Sequence, residues 1–413
     1  MNNTQLKADS DQVRRQNRGL VLAVLRRNGP SARIELGRIT ELSPATITSI
    51  TSDLIAEGLI KSAGEEGGSR AGPGRPLVRL ELNPEAGLVL GIRISIDQAR
   101  LELARYNGEV VHAEVKALAS YDAEPAAYAR ELAAQAIGFI AALNVSTGSI
   151  LRTGVAVQGI ADAMRGVIAW SPAFRARDIP VCAALETALG SEVVIANDSN
   201  LMARILVERE GAVAGTTVVV FIGYGVGMGI ILDGRVYDGP TGAAAEFGHM
   251  NHEPAGPLCR CGRRGCVEAY VADYAILRRF NGDAPTAEPT HHAVDSAALD
   301  DVFARALAGD VRAVETYREA GLALGYGIAR TVALLNAGRV VVAGPGARAF
   351  DMMKPWIDEG FSLALPAPLG EGVVIETAAT GQDMIFAGLL AQLFAELDRN
   401  TFARPRRDVE KAS

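Results

Sequence analysis

The spacing of apolar residues changes several times along this chain, and each change marks an element. Leu20, Val21, Val24 and Leu25 form an apolar face at helical spacing, and "NGP" at 28–30 stops that helix. Ile34, Leu36 and Ile39 outline a second short helix. Ser43 followed by Pro44 is a start signal for a third, along which Ile47, Ile50 and Leu54 recur at i, i+3, i+7 and face a core. Two short strand-like pieces then flank a Gly-rich arm, "SAGEEGGSRAGPGRP" at 62–76.

From residue 87 the period drops to two. "GLVLGIRISIDQARLELARYNGEVVHAEVKAL" (87–118) holds three alternating strands, broken at Asp97-Gln98 and at Asn107-Gly108. "TTVVVFIGYGVGMGIILDGRVYDG" (216–239) repeats the scheme, with Asp233-Gly234 as a turn. Helical patterns fill 124–143, 199–210, 311–336 and 383–398. The fold class predicted is α/β: a small helical head, then a duplicated body with a cleft between two lobes.

Composition sharpens this picture. The 413 residues, 49% apolar and 22% charged, suit a soluble globular protein of two or three compact units. With no apolar leader and no apolar run of 18 residues, the expected location is cytoplasmic, where thiols stay reduced. The net charge of −7 is unevenly spread: residues 1–80 carry 12 Lys/Arg against 8 Asp/Glu, the remainder 29 against 40. A basic head on an acidic body implies that the head alone meets a polyanion.

The head supplies a surface for one. A short helix, a tight turn and a third helix make a helix-turn-helix, whose last helix enters the major groove. Its outward face offers Ala45, Thr46, Thr48, Ser49 and Ser52, with Ser43 at the cap: small, hydroxylic and free of carboxylates. Arg70 and Arg75 lie on the Gly-rich arm, which reads as a wing whose arginines suit a narrow minor groove; the alternative is a solvated loop. Glu41 sits in the turn where glycine would be easier on the backbone.

The densest chemistry is "EFGHMNHEPAGPLCRCGRRGCVE" at 246–268, which holds three of the four cysteines and two of the five histidines. Thiolates and an imidazole suit tetrahedral zinc, and glycines let the backbone fold around an ion. On spacing alone, His249 or His252 can complete the set with Cys259, Cys261 and Cys266. Cys182, alone in an apolar helix, reads as packing. Asp198 follows a strand ending at Asn197 and either caps a helix or faces a ligand; Glu246 and Glu268 are ligand contacts or surface charges.

At these residues the sequence resembles the ROK family, whose repressors join a winged helix-turn-helix to a sugar-kinase-like body. "LSPATITSITSDLIAEGLI" and "GPGRP" are similar to that family's DNA-binding head, and the Cys-x-Cys-Gly-x-x-Gly-Cys-x-Glu run after Gly-His matches its metal motif at every position. The resemblance implies a winged helix-turn-helix over 1–82, a two-lobed actin-like ATPase (ribonuclease H-like) ROK domain over 83–400 and a tail over 401–413. It assigns His249, Cys259, Cys261 and Cys266 to structural Zn2+, and Asn197, Asp198, Glu246, His249 and Glu268 to sugar hydroxyls.

Kinases of this fold hold ATP with an Asp-x-Gly-x-Thr type turn in the first hairpin. Here "GIRISIDQAR" puts Arg93 at the Asp, Ser95 and Ile96 at the glycines, and Asp97 at the Thr. Ile96 is expected to close the turn, and Asp97 to repel phosphate by roughly 4 kcal/mol at about 4 Å. "GYGVGMG" (223–229) keeps its glycines but has Tyr224 for a small residue, and "AGPGAR" (343–348) is partly kept. Ala173 replaces an Asn usual after "SP", and Gln158 a Pro. The expectation is a repressor without kinase activity that binds operator DNA as a homodimer or dimer of dimers. Its effector is a sugar or sugar phosphate, with no membrane partner; an ATP-dependent sugar kinase is the alternative.

Overall fold

The computed structural model describes residues 3–63, 78–211, 214–239, 242, 245–378 and 383–402. The head consists of α1 (Asn3–Asn28), β1 (Ser31–Ala32), α2 (Arg33–Thr40), α3 (Pro44–Ala56), β2 (Ile60–Ser62) and β3 (Arg79–Leu82). Its strands pair antiparallel in the order β1-β3-β2. Val21, Leu22, Leu25, Leu36, Ile47, Ile50, Leu54 and Leu80 are buried between them. Leu20, expected inside, is 48% exposed; the buried stripe of α1 runs through Arg18, Leu22 and Leu25, one notch round the helix. Ile34 and Ile39 also face outward, so α2 anchors itself through Leu36. Glu41 does adopt the left-handed conformation (φ 58°) that the turn requires. The arm carrying Arg70 and Arg75 lies outside the described residues.

Two sheets of the same topology follow. The first comprises β4 (Leu88–Ser95), β5 (Gln98–Arg105), β6 (Val110–Ala117), β7 (Ile150–Val157) and, beyond the small β8 (Ile160–Asp162) and β9 (Val167–Trp170) hairpin, β10 (Val193–Asn197). Its order is β10-β7-β4-β5-β6, with the first three strands in sequence antiparallel and the last two parallel to β4. The second repeats this as β13-β12-β11-β14-β15, built from β11 (Thr216–Ile222), β12 (Val226–Leu232), β13 (Arg235–Val236), β14 (Arg339–Ala343) and β15 (Val374–Thr377). The duplication read from the two meanders is therefore present strand for strand.

Helices α4 (Pro125–Ala142) and α5 (Val181–Leu189) cover the first sheet, and α6 (Asp198–Glu210) crosses to β12 of the second. The second lobe adds α7 (Glu268–Val271), α8 (Asp273–Asn281), α9 (Ser296–Leu307), α10 (Val311–Leu335), α11 (Phe350–Ala364) and α12 (Ala367–Gly370). α11 lies outside the helical stretches read from the sequence, although Phe350, Met353 and Ile357 recur at i, i+3, i+7; Pro355 stands inside it. Gly360 is needed there: a Cβ would collide with the backbone of α10 at Leu322. The last helix, α13 (Met384–Glu396), packs along α6, and the apolar core of the head is continuous with both. Phe402, just past α13, is buried edge-on against Tyr106. Among the described residues no helix is long and apolar enough to cross a membrane.

Candidate functional site

The 246–268 loop folds back on itself through short bridges, Asn251 to Cys266 and Leu258 to Arg264. Gly265 adopts φ 69° against the Glu253 carbonyl, where any side chain would collide. This folding gathers His249, Cys259, Cys261 and Cys266, whose ligand atoms all lie within 4.8 Å of one another. Cys261 and Cys266 sulfurs are 3.7 Å apart, as are the Cys259 sulfur and His249 Nδ1. Four donors around a tetrahedral ion at roughly 2.3 Å would be spaced at about 3.7 Å. The donor set thus fits a metal in chemistry and spacing. His252 is elsewhere, packed on Tyr270 and Tyr326. Cys182 is buried beside Gly166, and burial pushes its thiol up to about 12.

With Nδ1 turned to the thiols, His249 presents Nε2 to the other side, 3.8 Å from Glu246 Oε2. There Asn197, Asp198, Glu246, His249 and Glu268 line one crevice between the lobes. Glu268 is buried; it accepts from the Val226 N–H (3.3 Å) and lies 3.5 Å from the Cys259 sulfur, so one carboxylate touches both the thiol cluster and the crevice. Burial pushes Asp198 up to about 6, against the pull of the Arg93 guanidinium. Burial likewise raises Glu246, opposed by His249. Such carboxylates favour a ligand that donates several hydrogen bonds.

Asn197, not Asp198, caps α6: its Oδ1 accepts from the N–H groups of Ser199 and Asn200, while Nδ2 donates to Gly159. Asp198 is the first helical residue, leaving its carboxylate for the crevice. Sequence reasoning missed Trp170, which meets His249 edge-on at 5.3 Å, and Gln158 enters as a wall rather than a mere departure from Pro. Neither belongs to a local pattern. Ala173 is buried away from the crevice, which Pro172 reaches instead. The crevice offers about 20 Å3, room for roughly one water.

The glycines of "GYGVGMG" serve this crevice. A Cβ at Gly225 would strike Gln158 and Glu268, and one at Gly227 or Gly229 would strike Ser199. They let α6 approach β12, which needs no nucleotide to explain. On the would-be phosphate side, Ile96 points into the core of the first lobe and does not itself close the turn. Asp97 does, in the left-handed conformation (φ 55°), by bonding His292 Nδ1 of the other lobe at 2.8 Å. Arg93 pairs with Asp383 at the start of α13, at 3.3 Å.

In the head, the Ser43 hydroxyl accepts from the Thr46 N–H at 3.2 Å. Ser43, Ala45, Thr48 and Ser49 are exposed and Thr46 half-buried, all on the face of α3 turned from the core.

The family model described as ROK family matches residues 89–394. The DNA-binding transcriptional repressor Mlc of Escherichia coli (strain K12) is 28% identical over 86% of this chain and 88% of its own. The xylose repressor of Bacillus subtilis (strain 168) is 25% identical over 92% of this chain and 96% of its own. A crystal structure of a ROK family transcriptional regulator, a homolog of the E. coli MLC protein, superposes with a TM-score of 0.76 at 25% identity, covering 95% of this chain and 99% of that one.

Proposed function

The chain belongs to the ROK family, and from that membership we propose that it is a sugar-responsive transcriptional repressor without kinase activity. Relatives that align along most of its length, head included, are named repressors, one of them for xylose. The observation that carries the reading is an asymmetry in the cleft. Three carboxylates and an imidazole converge on a crevice braced by a Cys3His cluster, while the turn that would cradle a triphosphate carries Asp97, bonded to His292, and Arg93, paired with Asp383.

Residues 1–82 form a winged helix-turn-helix in this reading, with Ser43, Ala45, Thr46, Thr48 and Ser49 entering the major groove and Arg70 and Arg75 the minor groove. Residues 83–400 are the sensor and 401–413 a tail. The metal is Zn2+; with four protein ligands it has no open position and is structural. Asn197, Asp198, Glu246, His249 and Glu268 hold the sugar hydroxyls. A homodimer sets two α3 helices one turn of operator apart, and a sugar that binds the parted lobes better than the closed ones changes that separation.

The test is operator binding by fluorescence anisotropy at fixed salt, titrated with a panel of sugars, beside a coupled assay for ADP release. Release of DNA by one sugar without ADP production is the expected result. Turnover above background would establish the kinase instead, and indifference to every sugar would reduce the body to a dimerisation module.

A further inference from the structure

The β8–β9 hairpin is irregular where it reaches the crevice. Ala161 pairs with Ile168 and Ile160 with Trp170, so Ala169 is an extra residue on β9. In a regular strand Trp170 would follow Ile168 to the same face, and Ile168 is buried in the core of the first lobe. The bulge releases Trp170 from that alternation, as bulges beside ligand sites do. Trp170 instead lines the crevice with Asp198, Glu246, His249 and Glu268. Gly159 makes room for this: it adopts φ 97°, and a Cβ there would come within 2.4 Å of the Trp170 carbonyl oxygen. The indole is half-buried, and among the described residues its N–H has no hydrogen-bond partner. A tryptophan kept for packing alone is buried with that donor satisfied. This one stands open to whatever fills the crevice. Its ring meets His249 at 5.3 Å and 76°, so the two form a corner, one wall polar and one apolar.

We propose that Trp170 decides which sugar the crevice accepts: its indole is the platform for the C–H face of a pyranose and favours rings whose hydroxyls are all equatorial. The inference rests on the sugar-sensor reading and adds the residue that makes it selective. Carboxylates hold hydroxyls, which every sugar has, and a hydroxyl moved from equatorial to axial still donates. An aromatic face is less tolerant. It gives carbon-bound hydrogens dispersion contacts and removal from water. An axial hydroxyl turned against it is desolvated without a partner. The rigid indole also supplies a large contact area while giving up little side-chain freedom. Retention therefore falls to Glu246, His249 and Asp198, and selection to Trp170.

The chain has two tryptophans, and the other, Trp356, lies on α11 against Gly321 of α10. The full chain carrying Trp356→Phe therefore reports on Trp170 alone. Its emission is titrated with glucose, xylose and N-acetylglucosamine and with the axial epimers galactose, mannose, ribose and N-acetylmannosamine, while calorimetry gives the affinities. One equatorial sugar should change the Trp170 emission saturably and bind at least about tenfold more tightly than its epimers. Trp170→Leu keeps an apolar side chain but no flat face. It should cut that preference to within about twofold, and Trp170→Phe should restore most of it. Binding without a change in emission, or a preference for an axial epimer, overturns the inference and leaves the sugar sensor standing. So does a preference that survives in Trp170→Leu, since an equal loss for every sugar marks a structural role. Should that variant fail to fold, the emission titration decides by itself. No binding by any sugar overturns both readings.

Discussion

Arg18, fully buried in α1, donates through Nε and Nη2 to the main-chain oxygen of Phe402, 384 residues further along the chain. The rest of its guanidinium grips Glu57, the C-cap residue of α3, at 2.6 and 3.1 Å. One side chain therefore ties the helix proposed to read DNA to the last segment of the body. Beside it, Arg26 bonds Asp398 and stacks over Phe394, while the Tyr106 hydroxyl donates to the same Asp398 at 2.6 Å.

Arg18→Met should separate the two units without unfolding either. Breaking a buried pair by removing one partner costs about 3–5 kcal/mol, most of it the charge left behind on Glu57. Glu57 retains some exposure, so the low end is expected. Differential scanning calorimetry should resolve two transitions where the parent protein gives one, and operator affinity should fall with sugar affinity intact. A single transition at the parent temperature would show that the tie carries no stability.

Ligand binding should depend on pH through Asp198. Burial raises this group from its ordinary 3.8 to about 6, so the folded protein binds more protons than the unfolded chain between those values. Stability of the free protein should thus fall as pH climbs through that window and level off above it. A ligand whose hydroxyls donate to the ionised carboxylate does the reverse: its affinity should rise from about pH 5 to about pH 7, with proton release on binding at the lower end. Asp198→Asn should weaken binding and flatten the profile. Titration calorimetry in buffers of different ionisation heat measures both, and a pH-independent affinity would remove Asp198 from the contact.

The thiol cluster predicts its own result. Cys261→Ser should abolish zinc in metal analysis of the purified protein and lower stability by about 2–5 kcal/mol, at least what one covalent cross-link gives. Because Glu268 lies against Cys259 and Glu246 against His249, sugar affinity should fall as well. A full zinc complement in the variant would remove Cys261 from the ligand set.

Much of this site was legible because its signals are local. Cysteines at 259, 261 and 266 follow His249 within one loop, and Asp198 follows its strand directly. The alternating meanders gave the antiparallel strands of both sheets, since period two needs only neighbouring residues, but not the parallel strands β7, β14 and β15. What escaped depends on distant parts of the chain. Arg18 looks like a solvated charge on an amphipathic helix until Phe402 arrives; Asp97 looks free to repel phosphate until His292, 195 residues on, bonds it. Leu20 and Leu22 are equally apolar, and only the packing of α1 on α2, α3, β3 and the segment 397–401 decides that Leu22 goes inside.

Arg260, between two of the thiols, carries the last prediction. It is buried, donates at 2.7 Å to both the Thr290 and Tyr224 carbonyls, and lies over the Tyr274 ring. Thr290 leads directly to His291, stacked on Tyr121, and to His292, bonded to Asp97, so this guanidinium pins the loop by which the second lobe holds the first. Hydrogen bonds from a charged donor contribute about 1.5–3 kcal/mol each, and both are lost in Arg260→Met. That variant should lose about 3 kcal/mol while keeping its zinc, unlike Cys261→Ser. Hydrogen exchange should accelerate together in residues 288–294 of the second lobe and 95–98 and 118–121 of the first. Faster exchange in the second-lobe loop alone would mean that His291 and His292 do not hold the lobes together.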